Sequence, residues 1–144
     1  MSLSLPACID AYMAAQVSFT ALVSDRLYPE RADQDATAPY VTYHLELRPS
    51  EDSLDLSAAG LPATGMIDAS LDFIALSRSY DQVFQVAEII RTVLSDFRGV
   101  MGGGTGLLVG SVQWVETQGG YIPGETAELG LFGALVKFVL QYVP

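Results

Sequence analysis

The sequence predicts an α+β fold, with two helices packed on one face of a mostly antiparallel four- to five-stranded sheet. Three observations carry this expectation. Residues 40–48, 66–78 and 131–143 alternate apolar and polar side chains with the two-residue period of a half-buried strand. Residues 6–24 and 81–97 instead repeat apolar side chains every three or four positions, as a helix with one buried face does. The order helix, strand, strand, helix, strand, strand buries all these stripes at once when both helices share one face of the sheet.

In the first helix Pro6 suits the first turn, Ser4 is placed to cap it, and Leu5, Ile9, Met13, Val17 and Ala21 step by four along one face. Tyr12, Phe19 and Leu22 broaden that stripe. Pro29 fixes φ and lacks an N–H, and Tyr28 before it is pushed toward extended geometry, so this helix cannot continue past Leu27. A polar, acidic spacer from Glu30 to Thr37 reads as a solvated loop. Pro39 then stands where the first strand starts, a place where a missing donor costs least. Beyond it Val41, Tyr43, Leu45 and Leu47 alternate with Thr42, His44, Glu46 and Arg48.

Residues 49–65 are long for a hairpin connection, a length that points to function or disorder. Leu54, Leu56 and Leu61 within it are apolar side chains that a neighbouring subunit could cover. In the strand at 66–78, Ile67, Ala69, Leu71, Phe73 and Ala75 share one face, and Asp68, Ser70 and Asp72 the other. Ile74 and Leu76 make that second face apolar at one end, which predicts that this end is covered. The second helix, capped by Ser79 or Asp81, places Val83, Val86, Ala87, Ile90, Val93, Leu94 and Phe97 on one face, with Gly99 as C-cap. It is long enough, roughly 27 Å, to cross a sheet diagonally. The glycines at 102–104 and Gly106 read as a flexible connection into a strand at 107–117 that sets Leu108, Gly110, Val112 and Trp114 on one face. A second long connection is expected over 118–130. The last strand sets Phe132, Ala134, Val136, Phe138, Leu140 and Tyr142 together.

A chain of 144 residues fits one domain, residues 1–144, with a core that needs no disulfide or metal. Half the residues are apolar and the mean hydropathy is +0.32, yet no apolar run approaches the ~20 residues of a membrane span. So much apolar surface implies oligomerisation. A net charge of −10 and a pI near 4.2 argue against a surface for nucleic acid, which needs clustered Lys and Arg. Such an acidic excess keeps a protein soluble, or lines a channel through which DNA passes without sticking. Cys8 is the single cysteine, so no intramolecular disulfide forms. The first residues lack the basic and apolar regions of a signal peptide, which predicts synthesis in the cytoplasm.

No catalytic, cofactor-binding or metal-binding set emerges. His44, the single histidine, sits in a strand pattern, and Cys8 lies near Asp10 without the positive surroundings that lower a thiol pKa. Asp68 and Asp72 are roughly 13 Å apart along a strand, too far for a glycosidase pair. The glycine run has no following Lys-Ser/Thr and leads into a strand, unlike a phosphate loop. Glu51, Asp52 and Asp55 lack the spacing of a calcium loop.

One stretch carries a resemblance. The run Asp25-Arg26-Leu27-Tyr28-Pro29, a polar spacer, then Ala38-Pro39-Tyr40-Val41-Thr42-Tyr43 resembles the tail-completion, or tail-terminator, proteins of long-tailed bacteriophages, prophages and gene-transfer particles. The resemblance implies a non-enzymatic virion protein that forms a hexameric ring, caps the tail tube, ends tail polymerisation and joins the tail to a head-side connector. It also implies a lumen crossed by DNA, with Asp68 and Asp72 as candidates for an acidic lining. Arg26, Tyr28, Arg48, Glu51, Asp52, Leu54, Leu56 and Leu61 are the candidates for subunit or tube contact. Arg26 and Tyr28 can equally serve to hold the first helix against the sheet, and Arg26 is placed to pair with Asp25. The alternatives are a head-tail adaptor or head-closure protein and, from another class, a small ligand-binding or regulatory domain with a pocket between the second helix and the sheet.

Overall fold

The alternating stretches form a sheet, and the helical stretches cover one side of it. The computed structural model describes residues 4–30, 38–48, 67–103, 106–122 and 131–143. In chain order these form α1 (Leu5–Ala14), α2 (Val17–Val23), β1 (Leu27–Pro29), β2 (Tyr40–Arg48), β3 (Ile67–Ser77), α3 (Tyr80–Leu94), β4 (Gly99–Met101), β5 (Leu107–Ile122) and β6 (Leu131–Val143). The strands make one curled six-stranded sheet in the order β1-β2-β3-β6-β5-β4. It is mixed: β1 runs parallel to β2, and every other pair is antiparallel. The α+β class stands, with six strands among the described residues where four to five were expected and three helices among them where two were expected.

The extra helix comes from a break. Ser4 caps α1 by accepting from the Ala7 amide, as expected, but the helix stops at Ala14 and restarts at Val17. The break changes the helical phase. Leu5, Ile9 and Met13 stay on the core side, whereas Val17, the next step of the four-residue stripe, is 81% exposed. Phe19 and Val23 are buried in its place. The extra strands are short edge pieces. Leu27–Pro29 lies against Val41–Tyr43, and Gly99–Met101 lies against Leu107–Val109.

α3 carries the expected stripe, with Val83, Val86, Ala87, Ile90 and Leu94 buried against the sheet. Ser79 caps it, accepting from the Gln82 amide at 3.4 Å. Its end differs from expectation: the helix stops at Leu94, Asp96 takes the left-handed turn with φ 62°, and Gly99 begins β4. Asp and Asn adopt this conformation more readily than other non-glycine residues. Gly102, Gly103 and Gly106 of the glycine run stand between β4 and β5. Gly102 and Gly103 have φ of 92° and 80°, and the Gly106 amide donates to Gly103 O at 3.0 Å.

β3 and β6 form the centre of the core face. Ala69, Leu71, Phe73 and Ala75 sit beside Ala134, Val136, Phe138, Leu140 and Tyr142, all buried. In β5 the phase differs from expectation, because register shifts between Val109 and Ser111 and between Trp114 and Glu116 each insert an extra residue. Val109 and Val112 are therefore buried while Leu108 is 49% exposed. β5 also continues to Ile122, into the stretch expected to be a connection.

Candidate interaction surfaces

Arg26, Tyr28, Pro39, Tyr40 and Tyr43 form a clamp between helix and sheet. Arg26 Nε donates to Pro39 O at 2.8 Å, and its Nη2 donates to Leu22 O at 3.3 Å. One guanidinium thus ties the end of α2 to the start of β2. The Ala38–Pro39 peptide bond is cis. Tyr28 and Tyr40 meet edge to face with centroids 6.2 Å apart, across the β1–β2 pair. Tyr43 Oη donates to Asp10 Oδ1 at 3.0 Å, tying α1 to the same strand. Burial, and then the Asp10 charge beside it, push the Tyr43 phenol well above the usual range, and burial also raises the Asp10 carboxyl. Arg26 and Tyr28 are therefore engaged within the chain, and the guanidinium expected to pair with Asp25 meets carbonyls instead.

The face of the sheet turned away from the helices carries a row of charges. In register across four strands stand His44 on β2, Asp72 on β3, Lys137 on β6 and Glu116 on β5. Glu30 extends the row beyond His44, 2.8 Å from its Nδ1, and Lys137 Nζ lies 3.6 Å from Glu116 at the other end. The signs alternate along the row when His44 is protonated. The hydrogen bond to Glu30, and then the Glu30 charge, raise the His44 pKa above the ordinary histidine value. Asp68 lies on the same face one row pair along, opposite Arg48 and Gln141, and its Oδ1 is buried with no hydrogen-bond partner among the described residues. Asp68 and Asp72, the two lumen candidates, thus share the helix-free face. Ile74, at 37% exposure, and Val139, at 38%, flank the charge row, so the end expected to be covered is partly open among the described residues.

Of the remaining predicted contact residues, Arg48 ends β2 opposite Asp68, and Glu51, Asp52, Leu54, Leu56 and Leu61 lie outside the described residues, as does Asp55.

Two surfaces were not legible in the sequence. A groove of about 620 Å³ runs between α2 and α3, lined by Leu22, Asp81, Phe84, Gln85, Glu88 and Ile89. It opens on the solvent side of α3, and the pocket considered between that helix and the sheet is filled by the buried stripe. The second is the edge of β5, where Trp114 and Val115 are 43% and 53% exposed. A pocket of about 380 Å³ beside it is lined by Arg91, Ser95, Asp96, Gln113 and Trp114. There the Arg91 guanidinium sits 5.3 Å over the indole while pairing with Glu88. Exposure at a strand edge and a bulge's phase depend on neighbours far along the chain, and local periodicity does not encode them.

No group of three His, Cys, Asp or Glu side chains among the described residues could hold a metal ion. Cys8 is wholly buried, and no described helix is long and apolar enough to cross a membrane.

Neither a scan of protein-family models nor a search of curated proteins finds a match. Solved structures do match. A chain in the structure described as the virion of a native gene transfer agent particle superposes with a TM-score of 0.71, covering 98% of this chain and 96% of that one. The two share a fold. At 13% sequence identity the likeness is one of architecture, extending over nearly the whole of both chains.

Proposed function

We propose that this chain is a structural, non-enzymatic protein of a phage-like virion. In that role it forms a ring, hexameric, that caps the tail tube, ends its polymerisation and joins the tail to the head-side connector at the neck. The observation that carries the proposal is the end-to-end fold match to a chain of a gene-transfer-agent virion. It agrees with the resemblance carried by the Asp25 to Tyr43 stretch. A heterologous interface whose rotation closes yields a finite ring, and a finite ring can stop a polymer of stacked rings. The partners are then further copies of the chain, the tail-tube protein and the connector, with DNA crossing the lumen without specific binding. A net charge of −10 per copy supports a passage that does not retain DNA.

The test is native mass spectrometry and negative-stain imaging across a concentration series, alone and with the tail-tube protein of the same particle. The expected result is a sixfold particle with a central hole, six times 15.4 kDa or about 92 kDa. Adding the chain to polymerising tube protein should also shorten the tubes and leave the ring at one end. A monomer under every condition, with tube length unchanged, would overturn the proposal.

A further inference from the structure

Among the described residues, each outer edge of the sheet is covered over only part of its length. On β2, the short strand β1 and the Glu30 amide cover the outer edge only as far as Tyr43. From His44 to Arg48 no described strand lies on that side. On β5, β4 covers Leu107 to Val109 and the Asp96 amide takes Val112 O, and from Gln113 to Ile122 no described strand follows. On β2 the Val41 amide and the Tyr43 carbonyl face the outer side, so by alternation Leu45 and Leu47 turn their backbone N–H and C=O groups toward the uncovered edge, and such an edge is a template for another strand. Large apolar side chains are exposed at both places: Leu47, 54% exposed, on β2, and Trp114 and Val115 on β5.

The direction of the strands decides what can join them. β2, β3, β6 and β5 alternate in direction, so β2 and β5, the outer long strands, run opposite ways. In a ring every copy has the same orientation about the axis. The β5 edge of one copy then meets the β2 edge of the next antiparallel, continuing the pattern inside each copy. The open part of β2 is its C-terminal half, and so is that of β5; the rows His44–Asp72–Lys137–Glu116 and Glu46–Ser70–Val139–Gln113 set the two level where they begin, and beyond that overlap they run toward opposite ends of the sheet. Pairing that extends beyond the overlap adds a stagger along the strands, and a stagger of one sign at every joint is what closing a sheet into a barrel demands.

We infer that adjacent copies join edge to edge, His44–Arg48 of one against the Gln113–Ile122 edge of the next, so that the sheets close into one barrel with the helices outside. This rests on the ring proposed above and names its interface. The charge row and Asp68 then face the lumen, and the apolar side chains at the two edges are covered.

The test uses Leu47→Cys, Val115→Cys and the double variant, with Cys8 wholly buried and out of reach of a short bismaleimide. Native mass is measured in parallel. The expected result is a covalent ladder reaching the ring size for the double variant, hetero-dimers when the two single variants are mixed, and none from either single variant alone. Val115→Lys, which places a charge on the edge, should abolish the ring and leave the circular dichroism of the monomer unchanged. Rings that form without crosslinking in the double variant would overturn the edge interface and leave the ring intact. Crosslinking of either single variant with itself would overturn the head-to-tail arrangement. Absence of any ring would remove both.

Discussion

Replacing Gly106 by Ala should cost more stability than replacing Gly103, although Gly103 has the unusual backbone. The two glycines serve different ends of the same turn. A Cβ on Gly106 would lie 1.8 Å from Met101 O and 2.7 Å from Met101 C, both backbone atoms that no rotamer change can move. Relief requires displacing the β4 backbone, and Met101 on that strand is fully buried. Overpacking ordinarily costs about 1–3 kcal/mol. Partial loss of a buried Met seat adds to it, so a total of about 3–4 kcal/mol is expected. Gly103, at φ 80°, has open space around its Cβ, so Ala there meets only the left-handed backbone cost of about 1–2 kcal/mol. With a urea slope of roughly 2 kcal/mol per M, the midpoint should fall by about 1.5–2 M for Gly106→Ala and by about 0.5–1 M for Gly103→Ala. The fluorescence of Trp114, the single tryptophan, follows the transition. A Gly106→Ala midpoint equal to or above that of Gly103→Ala would refute the steric account of this turn.

The proton NMR titration of His44, the single histidine, should give a midpoint above the ordinary value of about 6.5, and Glu30→Gln should lower it. Because the folded pKa is raised, the pair's contribution to stability is complete below the unfolded pKa and is lost as pH rises through the folded one. A His44 midpoint unmoved by Glu30→Gln would remove the pair as the cause. Arg26→Lys keeps the charge but cannot reach Pro39 O and Leu22 O together, so it should cost about 1–2 kcal/mol. That corresponds to a thermal midpoint lower by roughly 2–8 °C. An unchanged midpoint would show that the fork does not hold α2 to β2.

Where a side chain's fate follows from its immediate neighbours in sequence, the residues announced it. The faces of β3 and β6 and the buried stripe of α3 repeat within a few positions, and each was readable with little error. So were the cap at Ser4 and the start of β2 beside Pro39. Where the fate depends on phase carried across an irregularity, local periodicity misled. The break between Ala14 and Val17 put Val17 into solvent and Phe19 into the core, and the bulge beyond Val109 exchanged the places of Val109 and Leu108. A period shows which residues alternate but not where the count slips by one.

The candidate surfaces divide in the same way. Composition alone established an acidic chain with more apolar side chains than charged ones, and spacing alone placed Asp68 and Asp72 on one strand face. Tertiary structure decided the rest. His44, Asp72, Lys137 and Glu116 stand in one row because β2, β3, β6 and β5 pair in a register that joins residues up to 93 positions apart in the spatial order of the sheet rather than of the chain. Arg26, chosen from the sequence as a contact residue, spends its donors on carbonyls of its own chain, since the turn brings Pro39 O within reach. Among the described residues β1 and β4 are too short to cover the outer edges of β2 and β5, and strand order is set by which hydrophobic faces can be buried together, a property of the whole chain and of no single stretch.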